Sequence, residues 1–171
     1  CFVDDPTRYL DSRGWELIQH PAPTPRREAW HLRCIPHLLF PSARKTIWID
    51  ASFTFTDFDQ LLLDSAGHDI SALRHHARHS CYHEGHTITK IGQASGEVVN
   101  RQLTAYKDEG VAPTELTISC LWVRNNNPVV TAFNERWDAE IKMNPGDNTQ
   151  LSSDYAAWKT GVKVHYLKGT H

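Results

Sequence analysis

The stretch Lys45-Thr46-Ile47-Trp48-Ile49-Asp50-Ala51-Ser52 decides how the rest of the sequence is interpreted. Its residues Thr46 to Ile49 form an unbroken β-branched and aromatic run. A run this short is typical of a strand buried on both faces inside a mostly parallel sheet. The run ends at the carboxylate of Asp50, and ligands in open α/β sheets bind outside the carboxyl ends of strands. Asp50 is therefore the first candidate for a metal or phosphate site; alternatively, it only caps the turn into Ser52.

The composition limits the classes of function. The chain has 171 residues, enough for one domain with its own core, and a formal net charge of −2. Because that charge gives no basic field, no nucleic-acid partner is expected. No apolar run approaches the roughly 20 residues that cross a bilayer, so no membrane segment is expected in this chain. We expect a cytoplasmic location, or the Golgi lumen if the chain is a fragment of a membrane-anchored protein.

The four cysteines are widely spaced and form no C-x-x-C pair. A zinc ribbon is therefore not indicated. A domain of this size does not need disulfides, so we expect reduced and mostly buried thiols.

Predicted strands and helices alternate along the chain. The predicted strands are Cys1–Val3, Trp15–Ile18, Thr46–Ile49, Ile70–Leu73, Leu116–Val123 and Val162–Leu167. The predicted helices are Arg26–Arg33, a helix capped by Asp57, Thr87–Asp108, a helix carrying Phe133, Trp137 and Ile141, and Thr149–Lys159. Gly92 and Gly96 weaken the third helix. This order predicts a single α/β domain over residues 1–171 with a mostly parallel sheet.

A histidine-rich segment follows the Ile70–Leu73 strand. His75, His79, His83 and His86 are spaced by four, four and three residues. On one helix they would share a face and could bind Zn²⁺, which would suit a zinc-dependent hydrolase. The alternative is a solvated histidine-rich surface.

Several motifs occur in a fixed order along the chain. They are Cys1-Phe2-Val3-Asp4-Asp5, Arg33, Ile35–Pro41 leading into Thr46–Asp50, Leu73–Arg78 continued by Tyr82 and Glu84, Gln102–Gly110 with Tyr106 and Glu109, Arg124 and Trp137, and Gln150-Leu151-Ser152 with Tyr155. Together they resemble the TOD/MUCI-type family of glycosyltransferase-like domains almost from end to end. The resemblance implies a GT-A-like, Rossmann-like three-layer sandwich that lacks its N-terminal strand.

Three positions depart from the family pattern. Arg33 stands where the family usually has lysine, and His76 replaces a proline. Asn148-Thr149 stands where the family has Arg-Asp before Gln150. The last departure leaves open a catalytically inactive carbohydrate- or partner-binding domain of the same fold.

The resemblance implies transfer of a hexose from a nucleotide diphosphate sugar, with uridine diphosphate (UDP) as the expected nucleotide, to a hydroxyl acceptor. It also implies Mn²⁺ or Mg²⁺ on the donor diphosphate, since these ions take carboxylate and phosphate oxygens. The metal ligands implied are Asp50, His165 and His171. Ser52 replaces the second carboxylate of the usual Asp-x-Asp.

The remaining roles are also implied by the resemblance. The catalytic residues are Asp50, Glu84, Gln150 and Asp154. The donor-binding residues are Asp5, Arg33, Ser52, His75, Arg78 and Lys168. The acceptor-binding residues are Tyr82, Gln102 and Trp137. Simpler explanations stay open: Arg78 and Glu84 can form a plain ion pair, Trp137 can belong to the core, and Gln150 can merely begin a helix.

Overall fold

The computed structural model describes residues 16, 18–20, 25–50, 57–144 and 149–168, together with the backbone of residues 2–3. Within these ranges the strands are β1 (Phe2–Val3), β2 (Ile18–Gln19), β3 (Lys45–Ile49), β4 (Ile70–Arg74), β5 (Thr117–Asn125) and β6 (Val164–Tyr166). The helices are α1 (Pro25–Cys34), α2 (Pro36–Leu39), α3 (Phe58–Asp64), α4 (Cys81–Lys90), α5 (Gly96–Asp108), α6 (Pro128–Met143) and α7 (Gln150–Thr160).

The main described sheet has four strands in the order β3-β5-β4-β6. Strand β5 is antiparallel to both β3 and β4, whereas β6 is parallel to β4. The short strands β1 and β2 form a separate parallel pair. The α/β class is therefore confirmed, but the prediction of a mostly parallel sheet is wrong, because two of the three pairings in the main sheet are antiparallel.

The direction of β5 follows from the connection that precedes it. The single predicted helix Thr87–Asp108 is two helices, α4 and α5, separated by a turn in which Gly92 adopts a φ of 72°. A single crossover helix would carry the chain back to the opposite edge and make β5 parallel to β4. Two successive helices instead return the chain to the edge where β4 ends, so β5 starts there and runs antiparallel.

Strand β3 lies at one side of the described sheet, and all five of its residues are half-buried. The prediction that this strand is buried on both faces is therefore wrong, since it has only β5 as a described neighbour. The central position belongs to β5, whose residues are mostly buried. The short apolar run marked a strand correctly but could not indicate its place in the sheet.

Helices pack on both faces of the sheet. On one face, Trp122 of β5 contacts the core of α6 formed by Phe133 and Trp137, with ring centroids 5.7 and 4.8 Å away. On the other face, Leu61 of α3 packs near Val123. Residues of α1 and α7 complete the first cluster. This arrangement places the end of α1 and the start of α7 beside the same edge of the sheet as Asp50.

The cysteines within the described ranges are Cys34, Cys81 and Cys120, and all three are free and buried. Burial raises the pKa of the Cys120 thiol to about 11. This confirms the expectation of reduced, buried thiols for the three. In the same described ranges, no helix has both the length and the apolar character needed to cross a membrane.

Candidate active site

Several of the predicted site residues lie at one edge of the sheet. Strands β3, β4 and β6 run in the same direction and end at this edge, and β5 begins there. Asp50 follows β3, and His75 follows β4, where its N–H donates to the carbonyl of Leu116 at 2.7 Å. Helix α7 also begins here, with Gln150 donating to the Thr117 carbonyl at 3.4 Å. Only β5 separates β3 from β4, so the two strands lie about 10 Å apart across the sheet. Along β5 their ends are staggered, since Asp50 pairs with Cys120 and His75 pairs with Leu116.

Arg33 links the end of β3 to the start of α7. Its Nη2 donates to Asp50 Oδ1 at 2.9 Å, and its Nη1 donates to the Thr149 hydroxyl at 3.1 Å. Trp48 Nε1 donates to the same Asp50 Oδ1 at 2.7 Å. Arg33 is 6% exposed, whereas the Asp50 side chain is 33% exposed. The carboxylate is therefore fixed by two side chains. The alternative that Asp50 caps the turn into Ser52 involves residues 51–56, which lie outside the described ranges.

The support of Arg33 comes from a second buried arginine. Arg124 Nη2 donates to the Arg33 carbonyl at 2.6 Å, and its Nη1 donates to Asn134 at 2.7 Å. Burial lowers the pKa of Arg124 to about 10. Burial also lowers the pKa of Arg33, and the neighbouring Asp50 carboxylate opposes that shift. Asp50 therefore stabilises the charge of a guanidinium that has little contact with water.

The loop after β4 holds a second arginine. His75 is buried, and its Nδ1 accepts hydrogen bonds from the backbone N–H groups of Ala77 and Arg78, both at 3.1 Å. An accepting Nδ1 places the proton of a neutral ring on Nε2. Arg78 forms an ion pair through Nε with Oε2 of Glu84, whose side chain is 1% exposed. The structure therefore contains the ion pair between Arg78 and Glu84, and the partly exposed Arg78 guanidinium is held on one side by a buried carboxylate.

The four predicted zinc-binding histidines do not share a helix face. His75 follows the end of β4, and α4 begins only at Cys81. His79, His83 and His86 are exposed, with the rings of His79 and His83 6.1 Å apart. Within the described ranges, no group of three His, Cys, Asp or Glu side chains could hold a metal ion. The condition for a zinc site, one helix that carries all four histidines, is therefore not met, and the exposed-surface explanation describes His79, His83 and His86.

His165 and Lys168 are separated from Asp50 by the width of the sheet. Strand β6 is three strands from β3, a spacing of about 14 Å. The His165 ring stacks on His68 at 3.7 Å, and both line a surface pocket of about 320 Å³ with Lys168. Asp50 and His165 therefore cannot bind the same ion, and that pairing is wrong. Asp5, Ser52 and His171 lie outside the described residues.

The implied Mn²⁺ or Mg²⁺ has to fit the donors around Asp50. These ions need several oxygen ligands. The described carboxylate instead faces the Arg33 guanidinium at 2.9 Å and the Trp48 indole N–H. Both are hydrogen-bond donors, and the guanidinium is itself a cation. The described side chains around Asp50 therefore do not fit a divalent metal ion.

The three predicted acceptor-binding residues have internal partners. The Tyr82 hydroxyl donates to the Val111 carbonyl at 2.7 Å. Gln102 is buried, and its Nε2 donates to Tyr106 at 2.7 Å and to Ser152 at 3.1 Å. Trp137 is 0% exposed, and its Nε1 donates to the Thr149 carbonyl at 3.1 Å. This placement favours the packing explanation for Trp137. Gln102 is likewise buried, so neither side chain presents a surface to an acceptor.

Asp154 lies one turn inside α7 and is 7% exposed. Burial raises the pKa of its carboxyl to about 8, and hydrogen bonds from Thr117 act in the opposite direction. Its Oδ2 has no hydrogen-bond partner among the described residues. A carboxyl group in this state holds its proton near neutral pH. Asp154 is thus a buried neutral acid beneath the edge and not an exposed carboxylate on it.

The sequence model of the TOD1/MUCI70 glycosyltransferase-like domain matches residues 15–166. The chain belongs to this family. No curated protein and no solved structure matches the chain. The TOD1/MUCI70 domain is a glycosyltransferase-like domain by description, which implies a sugar donor and an acceptor as its partners. Membership does not by itself assign the nucleotide, the metal or the acceptor of this chain.

Two residues of this TOD1/MUCI70 domain, Trp48 and Thr149, contact the site although no role is predicted for them from the sequence. Trp48 binds Asp50, and side chains two apart on a strand share a face, so this contact had a readable signal. Thr149 binds Arg33 across 116 positions of sequence, which no local pattern indicates. In the sequence, Thr149 stands out only as a departure from the family pattern.

Proposed function

We propose that this TOD1/MUCI70 domain transfers a hexose from a nucleotide diphosphate sugar, with UDP as the expected nucleotide, to a hydroxyl acceptor. The observation that carries the proposal is the contact of Arg33 with both Asp50 and Thr149. It joins the end of β3 to the start of α7 at the sheet edge where α/β folds bind ligands. Membership in the family supports glycosyl transfer as the reaction, and we place that reaction at the sheet edge beside Asp50.

Arg78 is the residue that we propose for the donor diphosphate. A guanidinium presents a rigid fork of N–H donors that matches phosphate oxygens. Its pairing with the buried Glu84 fixes the side chain before the donor arrives, and 28% of the side chain remains exposed. A cation fixed in advance stabilises the charge that develops on the diphosphate when the bond to the sugar breaks.

In the proposed transfer step, one bond to the anomeric carbon forms and one breaks. The acceptor oxygen forms a bond to the anomeric carbon, and the bond from that carbon to the diphosphate oxygen breaks. The electron pair of the broken bond leaves with the diphosphate, and the acceptor proton passes to a carboxylate or to the diphosphate itself. Asp50 is a partly exposed carboxylate at this edge, held in place by Arg33 and Trp48, so we assign it the contact with a reacting hydroxyl. Glu84 acts through Arg78.

The test is product analysis with radiolabelled UDP-hexoses, scoring both transfer to added sugars and hydrolysis to UDP. We expect turnover by the wild-type chain and a loss of at least tenfold in Arg78→Gln. Because that change also breaks the ion pair with the buried Glu84, the double variant Arg78→Gln/Glu84→Gln, which replaces both members of the pair, should show the same loss. Arg101→Gln is the control, since Arg101 is an exposed arginine on α5, away from this edge.

Absence of both transfer and hydrolysis with every UDP-hexose would contradict the proposal of a UDP-sugar transferase. Unchanged turnover in Arg78→Gln would contradict the assignment of Arg78. Both variants should be compared with the wild-type chain by thermal melting, so that a loss of folded protein is separated from a loss of chemistry.

A second candidate is a binding domain of the same fold without turnover. The observation that favours it is Thr149, which places a neutral hydroxyl against Arg33 where the family has a carboxylate. Such a domain would bind a UDP-sugar or a glycan and release no product. Calorimetric binding together with absent turnover would select this candidate.

A further inference from the structure

The Asp50 carboxylate already has a cation beside it. Arg33 Nη2 lies 2.9 Å from Oδ1, and the same oxygen accepts from Trp48 Nε1 at 2.7 Å. The guanidinium also lies over the Trp48 ring, 5.2 Å from its centroid. Arg33, Trp48 and Asp50 thus form one unit in which the positive charge that a carboxylate needs is supplied by the chain.

Arg33 is not free to leave this position. Its side chain is buried, its other terminal nitrogen is bonded to Thr149, and its carbonyl is bonded to Arg124. A divalent ion at Asp50 would therefore have to approach a fixed guanidinium at close range, where like charges repel strongly. It would also find indole and guanidinium N–H groups where it needs oxygen atoms.

The other oxygen of Asp50 has a different environment. Oδ2 accepts no hydrogen bond from a described residue, and a third of the side chain is exposed to solvent. With Oδ1 anchored by two donors, Oδ2 is held in one orientation and can accept one or two further hydrogen bonds. The ligand chemistry that completes this carboxylate without displacing Arg33 is a neutral hydroxyl.

We infer that Asp50 is a hydroxyl-binding carboxylate held by Arg33, and not a metal ligand, so that donor binding at this edge is independent of divalent metal. The identity of the hydroxyl, on a sugar or a ribose, rests on the proposed function. The statement about metal rests only on the contacts of Arg33 and Trp48. The charge of the donor diphosphate then falls to Arg78, which is also fixed in advance.

The first test is calorimetric titration with UDP in EDTA and in Mn²⁺. We expect affinities within twofold of each other in the wild-type chain. Asp50→Asn should weaken UDP-hexose or UDP binding by a similar factor in both buffers, because it removes a hydrogen-bond acceptor and no metal. A gain of tenfold or more in Mn²⁺ that Asp50→Asn abolishes would overturn the inference.

The second test uses Mn²⁺ alone and follows the free ion by electron paramagnetic resonance. We expect the wild-type chain and Asp50→Asn to bind Mn²⁺ equally weakly. In Arg33→Met the carboxylate loses its internal cation, so Mn²⁺ binding should increase. Asp50-dependent Mn²⁺ binding by the wild-type chain would overturn the inference even if UDP did not bind.

If UDP fails to bind in either buffer, the proposed UDP donor is wrong, and the Mn²⁺ measurement still decides the role of Asp50. If Arg33→Met does not fold, the comparison of the wild-type chain with Asp50→Asn is sufficient.

Discussion

Replacing Asp154 by asparagine should remove a pH dependence of stability that the fold places on one side chain. Burial raises the pKa of Asp154 from 3.8 to about 8. The folded chain therefore keeps this proton up to about pH 8, whereas the unfolded chain releases it near pH 4. Between these values the folded state binds more protons, so the free energy of unfolding falls as the pH rises.

The size of the effect follows from the shift. About four pKa units at 1.36 kcal/mol each set an upper limit of roughly 5 to 6 kcal/mol for the stability lost between pH 4 and pH 8. Water entry and relaxation around the ionised group reduce this value, because buried sites behave as if their dielectric constant were about 20. A loss of at least about 2 kcal/mol is still expected. Asp154→Asn has no proton to release and should not show this loss.

The assay is urea denaturation followed by tryptophan fluorescence at pH 4.5, 6 and 7.5. The difference in free energy of unfolding between Asp154→Asn and the wild-type chain should move in favour of the variant as the pH rises, since other titrating groups contribute equally to both. Asp108→Asn is the control, because Asp108 is an exposed carboxylate at the end of α5. A difference that stays constant or moves in favour of the wild-type chain would refute the argument.

Two further predictions concern the packing that positions the site. Gly85→Ala should lower the free energy of unfolding by about 1 to 3 kcal/mol, because a Cβ there would lie 2.4 Å from Leu103 and 2.9 Å from Val99 of α5. Leu103→Ala should recover part of that loss in the double variant. An unchanged free energy of unfolding in Gly85→Ala would contradict the close approach of α4 and α5. Trp137→Phe should cost a similar amount by losing the hydrogen bond to the Thr149 carbonyl and leaving a cavity; an unchanged Arg33–Thr149 contact in a crystal structure of this variant would show that Trp137 does not position the site.

The local elements were largely readable from the sequence. The predicted strand Thr46–Ile49 is β3 (Lys45–Ile49), and the predicted helix Thr149–Lys159 is α7 (Gln150–Thr160). Each prediction rested on a short-range pattern, namely a β-branched run or a helical period. Strand direction is different, because it depends on how the chain returns to the sheet. The missed break at Gly92 merged α4 with α5 and thereby reversed the expected direction of β5.

The sequence was sufficient to predict where the candidate site lies, but not which side chains contact one another there. Asp50 was expected at the carboxyl end of a strand and lies there, since it follows β3, which points the same way as β4 with β5 between them. That Arg33 would bind Asp50 directly was not readable, because the hydrogen bond joins separate elements at the end of α1 and the end of β3. The distance of His165 from Asp50 depended on strand order, which no residue pattern in the chain specifies.

The central claim is that the donor sugar binds at the edge formed by Asp50, Arg78 and Thr149. The most direct measurement is a backbone amide NMR titration of the isotope-labelled chain with a UDP-hexose. We expect the largest shift changes at residues 49–50, 75–78 and 149–150, and unchanged signals at His68 and His165 in the pocket beside β6. Changes confined to that pocket, with none at Asp50 or Arg78, would contradict the assigned site.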